Sequence, residues 1–171
     1  MNGMIKKKYK ICVVGLGYVG LPLMYELSSF FDVIGIDADR NRVSELKKSF
    51  DRNLEFSKKK LDRICKKVFL NDKKFVLKSN VYIITVPTPV YVNNKPDFRS
   101  LLSACKYVSK NLKSNDTVII ESTVSPGTVE GPCKKILNLN KINFNLCFSP
   151  ERINVGDKEH TLSNLVKVIS S

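Results

Sequence analysis

Several short stretches of the sequence carry side chains that could act on one ligand together. "GLGYVG" sets Gly15, Gly17 and Gly20 in a G-x-G-x-x-G spacing. Gly15 permits a tight turn, Gly17 lets backbone approach a pyrophosphate, and Gly20 lets a helix pack close to a strand. Free N–H groups at the start of such a helix, with its partial positive charge, suit phosphates. Asp37 follows Gly20 by 17 residues, where a carboxylate can accept hydrogen bonds from a ribose. "VPTP" offers the hydroxyl of Thr88, next to that of Thr85, and "ESTVSPGT" offers Ser122 and Thr123. "FSPERINVGD" contains Glu151, a candidate base, and Arg152 beside it. Each stretch also has a plain reading: a strand-helix turn, a proline-punctuated loop, or a strand running into a polar surface loop.

The elements around these stretches favour the chemical reading. "KICVVG", "DVIGID", "NVYIITVP", "DTVIIES" and "NFNLCFS" are short apolar runs, as expected of buried parallel strands. Helical patterns lie between them, at about 18–30, 40–49, 57–68, 100–112 and 134–139, and a brief strand is expected at 75–77. Val43 and Leu46 form one inner face; Leu101, Leu102, Cys105, Val108 and Leu112 form another. Such alternation predicts an α/β fold, a Rossmann-like doubly wound, mainly parallel sheet with helices on both faces. In these sheets the ligand sits beyond the carboxyl ends of the strands. The glycine loop, Asp37, Thr88, Thr123 and Glu151 all fall at such ends. The apolar stretch 165–169 reads as the start of a further element.

Asp37 also bears on which dinucleotide binds. A 2′-phosphate about 4 Å from its carboxylate is repelled by several kcal/mol at an effective dielectric near 20, which favours NAD over NADP. Arg40 and Arg42 pull the other way, because an arginine can receive a 2′-phosphate. Arg42 could equally lie along the face of the adenine.

Composition narrows the class. With 171 residues, 43% hydrophobic and 26% charged, the chain suits one globular domain. No apolar run is long enough to span a membrane. Lys6 to Lys8 and the apolar run after them resemble a signal peptide, but three glycines interrupt the run and no small-residue cleavage pattern follows. The five cysteines are scattered and form no C-x-x-C pair, and His160 is the one histidine. That argues for a reducing, cytoplasmic setting and against a metal site. The net charge of +13 invites a nucleic-acid reading. Much of it falls between Arg40 and Lys78, with 14 basic against 5 acidic residues. Those lysines alternate with apolar residues at helical spacing, and few aromatics are interleaved for stacking on bases. Solvated helix faces and steering of an anionic small molecule are expected instead.

Taken in order, "KICVVGLGYVGLPL", "VIGIDAD", "VYIITVPTPV", "VIIESTVSPGT" and "SPERINVGD" resemble the UDP-glucose/GDP-mannose dehydrogenase family. Within it they are most similar to bacterial UDP-N-acetylhexosamine 6-dehydrogenases of the Vi-antigen and O-antigen type. The resemblance implies an NAD-dependent four-electron oxidation of the C6 alcohol of a UDP-sugar, through an aldehyde and a cysteine thioester. It implies that Gly15, Leu16, Gly17, Tyr18, Val19 and Gly20, with Asp37 and Arg42, hold the adenosine diphosphate half of NAD. Val86, Pro87, Thr88 and Thr123 would line the nicotinamide side. Thr123 and Glu151 would handle protons and water, with Glu151 and Arg152 against the substrate. Residues 1–171 then correspond to the NAD-binding domain, and full-length members are expected to be homodimers.

Departures from the family pattern limit what the chain is expected to do. The family's cysteine nucleophile, its catalytic lysine and asparagine, and its C-terminal UDP-sugar domain have no counterpart in these residues. The chain alone is therefore expected to be inactive. Val155 replaces a usual proline, and "EGP" at 130–132 breaks what is normally a continuous helix. The competing expectations are a two-electron dehydrogenase of the 6-phosphogluconate or 3-hydroxyacid type, and a non-catalytic nucleotide-binding module.

Overall fold

A computed structural model describes residues 9–70, 78–151 and 168–170. Strand β1, Lys10–Val14, leads through the glycine loop into helix α1, Gly20–Leu27. Strand β2, Asp32–Asp37, is followed by helix α2, Arg40–Lys47. A four-residue helix α3, Lys58–Leu61, and a 3-10 turn at Cys65–Lys67 precede strand β3, Val68–Leu70. Strand β4, Val81–Ile84, helix α4, Arg99–Ser109, and strand β5, Thr117–Ile120, follow in turn. A π turn at Val129–Cys133 runs into helix α5, Lys134–Leu137, and strand β6, Asn145–Phe148, closes the sheet. The sheet order is β3-β2-β1-β4-β5-β6, with every neighbouring pair parallel. The strand order reverses between β1 and β4, which opens a crevice at their carboxyl ends.

Period-two alternation explains why the strands are apolar throughout. Cys12, Val14, Tyr82, Ile84, Val118 and Ile120 point to one core, with Leu101, Cys105 and Val108 of α4 and Leu137 of α5. Ile11, Val13, Val33 and Ile83 point to the other, with Leu21 and Met24 of α1 and Val43 and Leu46 of α2. The buried Tyr82 hydroxyl donates to the Ser79 and Asn111 carbonyls, so its polar atom is satisfied within the core.

Two sequence expectations are revised, at 57–68 and at 130–132. The lysine-rich stretch 57–68 is not one helix. It coils for a turn at α3, buries Leu61 and Ile64, and then extends so that Val68 pairs with Gly35 of β2. Edge pairing of "VFL" with β2 outweighs helical spacing there. The strand expected at 75–77 lies outside the described residues. At 130–132 the chain stays coiled despite Pro132, because a wider turn accommodates it: the Cys133 N–H donates to the Thr128 carbonyl, five residues back. Of the stretch 165–169, only its end is described; Ser170 pairs with Phe148 in an antiparallel bridge. No helix among the described residues is long and apolar enough to cross a membrane.

Candidate functional site

The carboxyl edge of the sheet holds a cavity of about 900 Å³. That volume suits a dinucleotide-sized ligand. The glycine loop forms its floor: Gly15, Leu16, Gly17, Tyr18 and Val19 all line it, while Gly20 lies buried behind them. Gly15 has φ +97°, a conformation that L side chains rarely adopt, and its N–H donates to the Ile36 carbonyl at 2.9 Å. A Cβ on Gly20 would overlap the Gly15 carbonyl oxygen and the Thr85 hydroxyl. A Cβ on Gly17 would meet nothing within 4 Å, so the loop's backbone opens directly into the cavity there.

Asp37 caps this floor. Its Oδ2 accepts from the Leu16 N–H at 2.7 Å and its Oδ1 from the Asp39 N–H at 2.9 Å. Those bonds fix the carboxylate at the cavity wall with lone pairs to spare. Asp39 in turn caps α2 by accepting from the Asn41 N–H, and that bond holds its carboxyl below the usual carboxylate range.

Arg42 lines the cavity as expected, but it is not an exposed cation. It is 4% exposed; Nε donates to the Leu16 carbonyl at 2.8 Å and Nη1 to Asp51 Oδ1 at 2.7 Å. Only Nη2 has no hydrogen-bond partner among the described residues.

Hydroxyls lock the far wall. The Thr85 hydroxyl does not face a ligand as its position at a strand end suggests; it donates to the Gly15 carbonyl at 2.8 Å and braces the glycine loop. The Thr88 hydroxyl donates to the Thr123 carbonyl at 2.6 Å, and the Ser122 hydroxyl to the Val86 carbonyl at 2.7 Å. The loops after β4 and β5 are thus tied reciprocally, each side chain to the other's backbone. Val86, Pro87, Thr88 and Thr123 all line the cavity, and Thr123 is exposed to it. Glu151 reaches the same wall, half-buried, just past Ser149, whose N–H donates to the Ile120 carbonyl at 3.0 Å and so continues β6 beside β5. Arg152 and Val155 lie outside the described residues.

Besides Ala38, Asp39, Arg52 and Asn53, two groups of lining residues escaped the sequence reading. One is an edge of α4: Ser100, Ser103, Ala104 and Tyr107 repeat at helical spacing beside its buried apolar side, which Ala104 and Tyr107 also join. The sequence reading named only the apolar residues of this helix, and a serine at helical spacing carries no signal of its own. The other is the rim pair Asp97 and Arg99. The Arg99 guanidinium holds the Asp97 carboxyl well below the usual carboxylate range. None of the five cysteines lines the cavity, and burial pushes the Cys12 thiol well above its ordinary value. The wall thus presents the backbone of the glycine loop, the Asp37 carboxylate, the exposed Thr123 and the Glu151 carboxylate.

Comparisons with known proteins identify the family and the fold. Residues 9–170 match the UDP-glucose/GDP-mannose dehydrogenase family, NAD binding domain. A UDP-N-acetyl-D-glucosamine 6-dehydrogenase of Pseudomonas aeruginosa is 42% identical over 169 residues, covering 96% of this chain and 40% of that protein. The enzyme of the same name from Salmonella typhi is 42% identical over 166 residues, covering 94% and 39%. The solved structure of a UDP-D-ManNAc dehydrogenase from Pyrococcus horikoshii superimposes with a TM-score of 0.77 at 31% identity, over 86% of this chain and 37% of that one. The chain thus spans about 40% of the length of the curated relatives it matches. With its six-stranded parallel sheet and its glycine loop at the switch point, the chain belongs to the UDP-glucose/GDP-mannose dehydrogenase family, as the NAD binding domain.

Proposed function

We propose that the chain is the NAD-binding part of a UDP-sugar 6-dehydrogenase whose substrate is a UDP-N-acetylhexosamine, oxidised at C6 to the uronic acid. The observation that carries this reading is the convergence of the glycine loop, Asp37, Thr123 and Glu151 on one cavity wall. The residues also fit the cofactor. Gly17 leaves room where a pyrophosphate would approach, and Arg42 Nη2 is a buried donor with no partner among the described residues.

NAD, when bound, supplies the hydride acceptor. The chain's own residues bind and orient it. Backbone N–H groups at the start of α1 face the phosphates. Asp37 accepts from the adenosine ribose. Val86, Pro87 and Thr88, with Thr123, wall the nicotinamide side. Thr123 and Glu151 hold the water, and the Glu151 carboxylate takes the proton that the alcohol loses. Arg152 is assigned to the anionic substrate, since its planar fork suits phosphate. The thioester step needs a thiolate, and with no cysteine on the cavity wall we assign it to a region other than these residues. The family match favours this reading over a two-electron hydroxyacid type. The intact enzyme is assigned to the cytoplasm, as a homodimer.

Calorimetry and absorbance test this together. The 171-residue chain binds NAD, yet with NAD and UDP-N-acetylglucosamine supplied it produces no steady rise in NADH absorbance. Steady NADH production would refute the assignment of the second half of the chemistry to another region. Absence of NAD binding would refute the reading of the cavity.

A further inference from the structure

Between α2 and α3 the chain makes a loop, residues 51–56, that carries none of the residues singled out in the sequence. One of its side chains is nevertheless fully buried: Asp51, with 0% side-chain exposure. Its Oδ1 accepts from Arg42 Nη1 at 2.7 Å and from the Asn53 N–H at 3.2 Å. Its Oδ2 accepts from the N–H groups of Glu55 and Phe56 at 3.0 and 3.1 Å. Arg42 Nε holds the Leu16 carbonyl at 2.8 Å, and the Leu16 N–H is held by Asp37 at 2.7 Å. An unbroken chain of contacts therefore runs from Asp51 through Arg42 and Leu16 to the carboxylate at the ribose edge. Hydrogen-bond lengths and peptide dimensions put the guanidinium and the Asp37 carboxylate within about 9 Å of each other.

An arginine placed there has opposite effects on two dinucleotides. Its N–H groups can serve either one, but its charge draws in a 2′-phosphate specifically. We propose that Asp51 is a specificity-determining residue: by pairing with Arg42 inside the protein it cancels the charge that would otherwise receive a 2′-phosphate. Asp37 then dominates the field at the ribose, and NAD is selected over NADP. This rests on the reading that the cavity holds NAD. The other charges nearby are matched as well. Arg52, which also lines the wall, is held by Glu45 at 2.6 Å and Asp39 at 3.1 Å. Arg99 is matched with Asp97 at 2.7 Å. Arg40 is exposed on the first turn of α2 and takes no part in the cavity wall. Arg42 itself spends Nε on the Leu16 carbonyl and Nη1 on Asp51, and its Nη2 is buried with no partner among the described residues, so its guanidinium is turned into the protein rather than presented as an open fork.

The test is calorimetry on the full 171-residue chain, with NAD titrated directly and NADP by competition. Asp51→Asn keeps the shape and an acceptor oxygen but leaves Arg42 unmatched, so the ratio of NADP to NAD affinity rises about tenfold. The double variant Arg42→Gln, Asp51→Asn restores a neutral pair and returns the ratio toward that of the wild type. A merely structural Asp51 would weaken both ligands in proportion and leave the ratio fixed, and that result overturns the proposal. Should Asp51→Asn fail to fold by circular dichroism, Arg42→Gln exposes the other half of the pair: with the Asp51 charge no longer cancelled, the ratio of NADP to NAD affinity falls below that of the wild type, and an unchanged ratio overturns the proposal. A wild-type chain that binds NAD in none of these titrations instead overturns the reading of the cavity itself, and this inference with it.

Discussion

Gly20→Ala produces a chain that is strongly destabilised and binds no NAD, whereas Gly17→Ala produces one that folds normally but binds NAD about tenfold or more weakly. The two glycines stand three residues apart in the same loop, so composition cannot separate them. Geometry does. Behind Gly20 stand the Gly15 carbonyl oxygen and the Thr85 hydroxyl, both inside the space a methyl group would need. The Gly15 oxygen is backbone, and Gly15 is anchored by its own bond to Ile36 and by the bond from Thr85. Neither can yield without separating α1 from β1 and β4, at a cost of about 3 kcal/mol or more. For a domain of this size that lowers Tm by about 6 °C or more in a thermal melt. At Gly17 the methyl group meets nothing, so stability changes by less than about 1 kcal/mol. The methyl then occupies the space through which a pyrophosphate approaches, and NAD affinity falls about tenfold or more. Unchanged affinity in Gly17→Ala would show that no phosphate lies against that backbone.

The contrast shows where sequence reading reaches and where it stops. The strands were legible because they are buried on both faces; "KICVV" and "VYII" have no polar side to disguise them. The glycine spacing was legible because a strand precedes it and a helix follows. The stretch 57–68 was not, because its apolar period fits a helix while its last residue is recruited to the edge of β2. Hydroxyl direction was not legible either. Thr85 and Thr88 both sit at the end of β4, yet one braces the glycine loop and the other ties down the β5 loop. Asp51 looked like any acidic loop residue. Its role depends on Arg42, nine residues back, folding over the loop, and that is a tertiary fact.

Asp37→Ala weakens NAD by about 10- to 100-fold, the worth of hydrogen bonds to a charged group, and relaxes the preference against NADP. Stability falls too. The carboxylate accepts from the Leu16 N–H, and Leu16 is fully buried, so the variant leaves a donor with no partner at about 1 to 3 kcal/mol. Asp37→Asn separates these effects. It keeps an oxygen for one of the two N–H groups but loses the charge, so it recovers part of the stability while NADP still gains on NAD. Calorimetry that finds NAD affinity unchanged in either variant shows that Asp37 does not hold the ribose. The comparison with Asp51 sharpens the point. If Asp37 holds the ribose as proposed, removing it deletes a repulsion together with that contact, so NAD falls steeply while NADP falls less. Neutralising Asp51 deletes no ligand contact and releases an attraction, so NADP rises while NAD changes little. Two carboxylates linked by one arginine and the backbone of one leucine should thus shift the same ratio by different routes, and the absolute NAD affinity tells the routes apart.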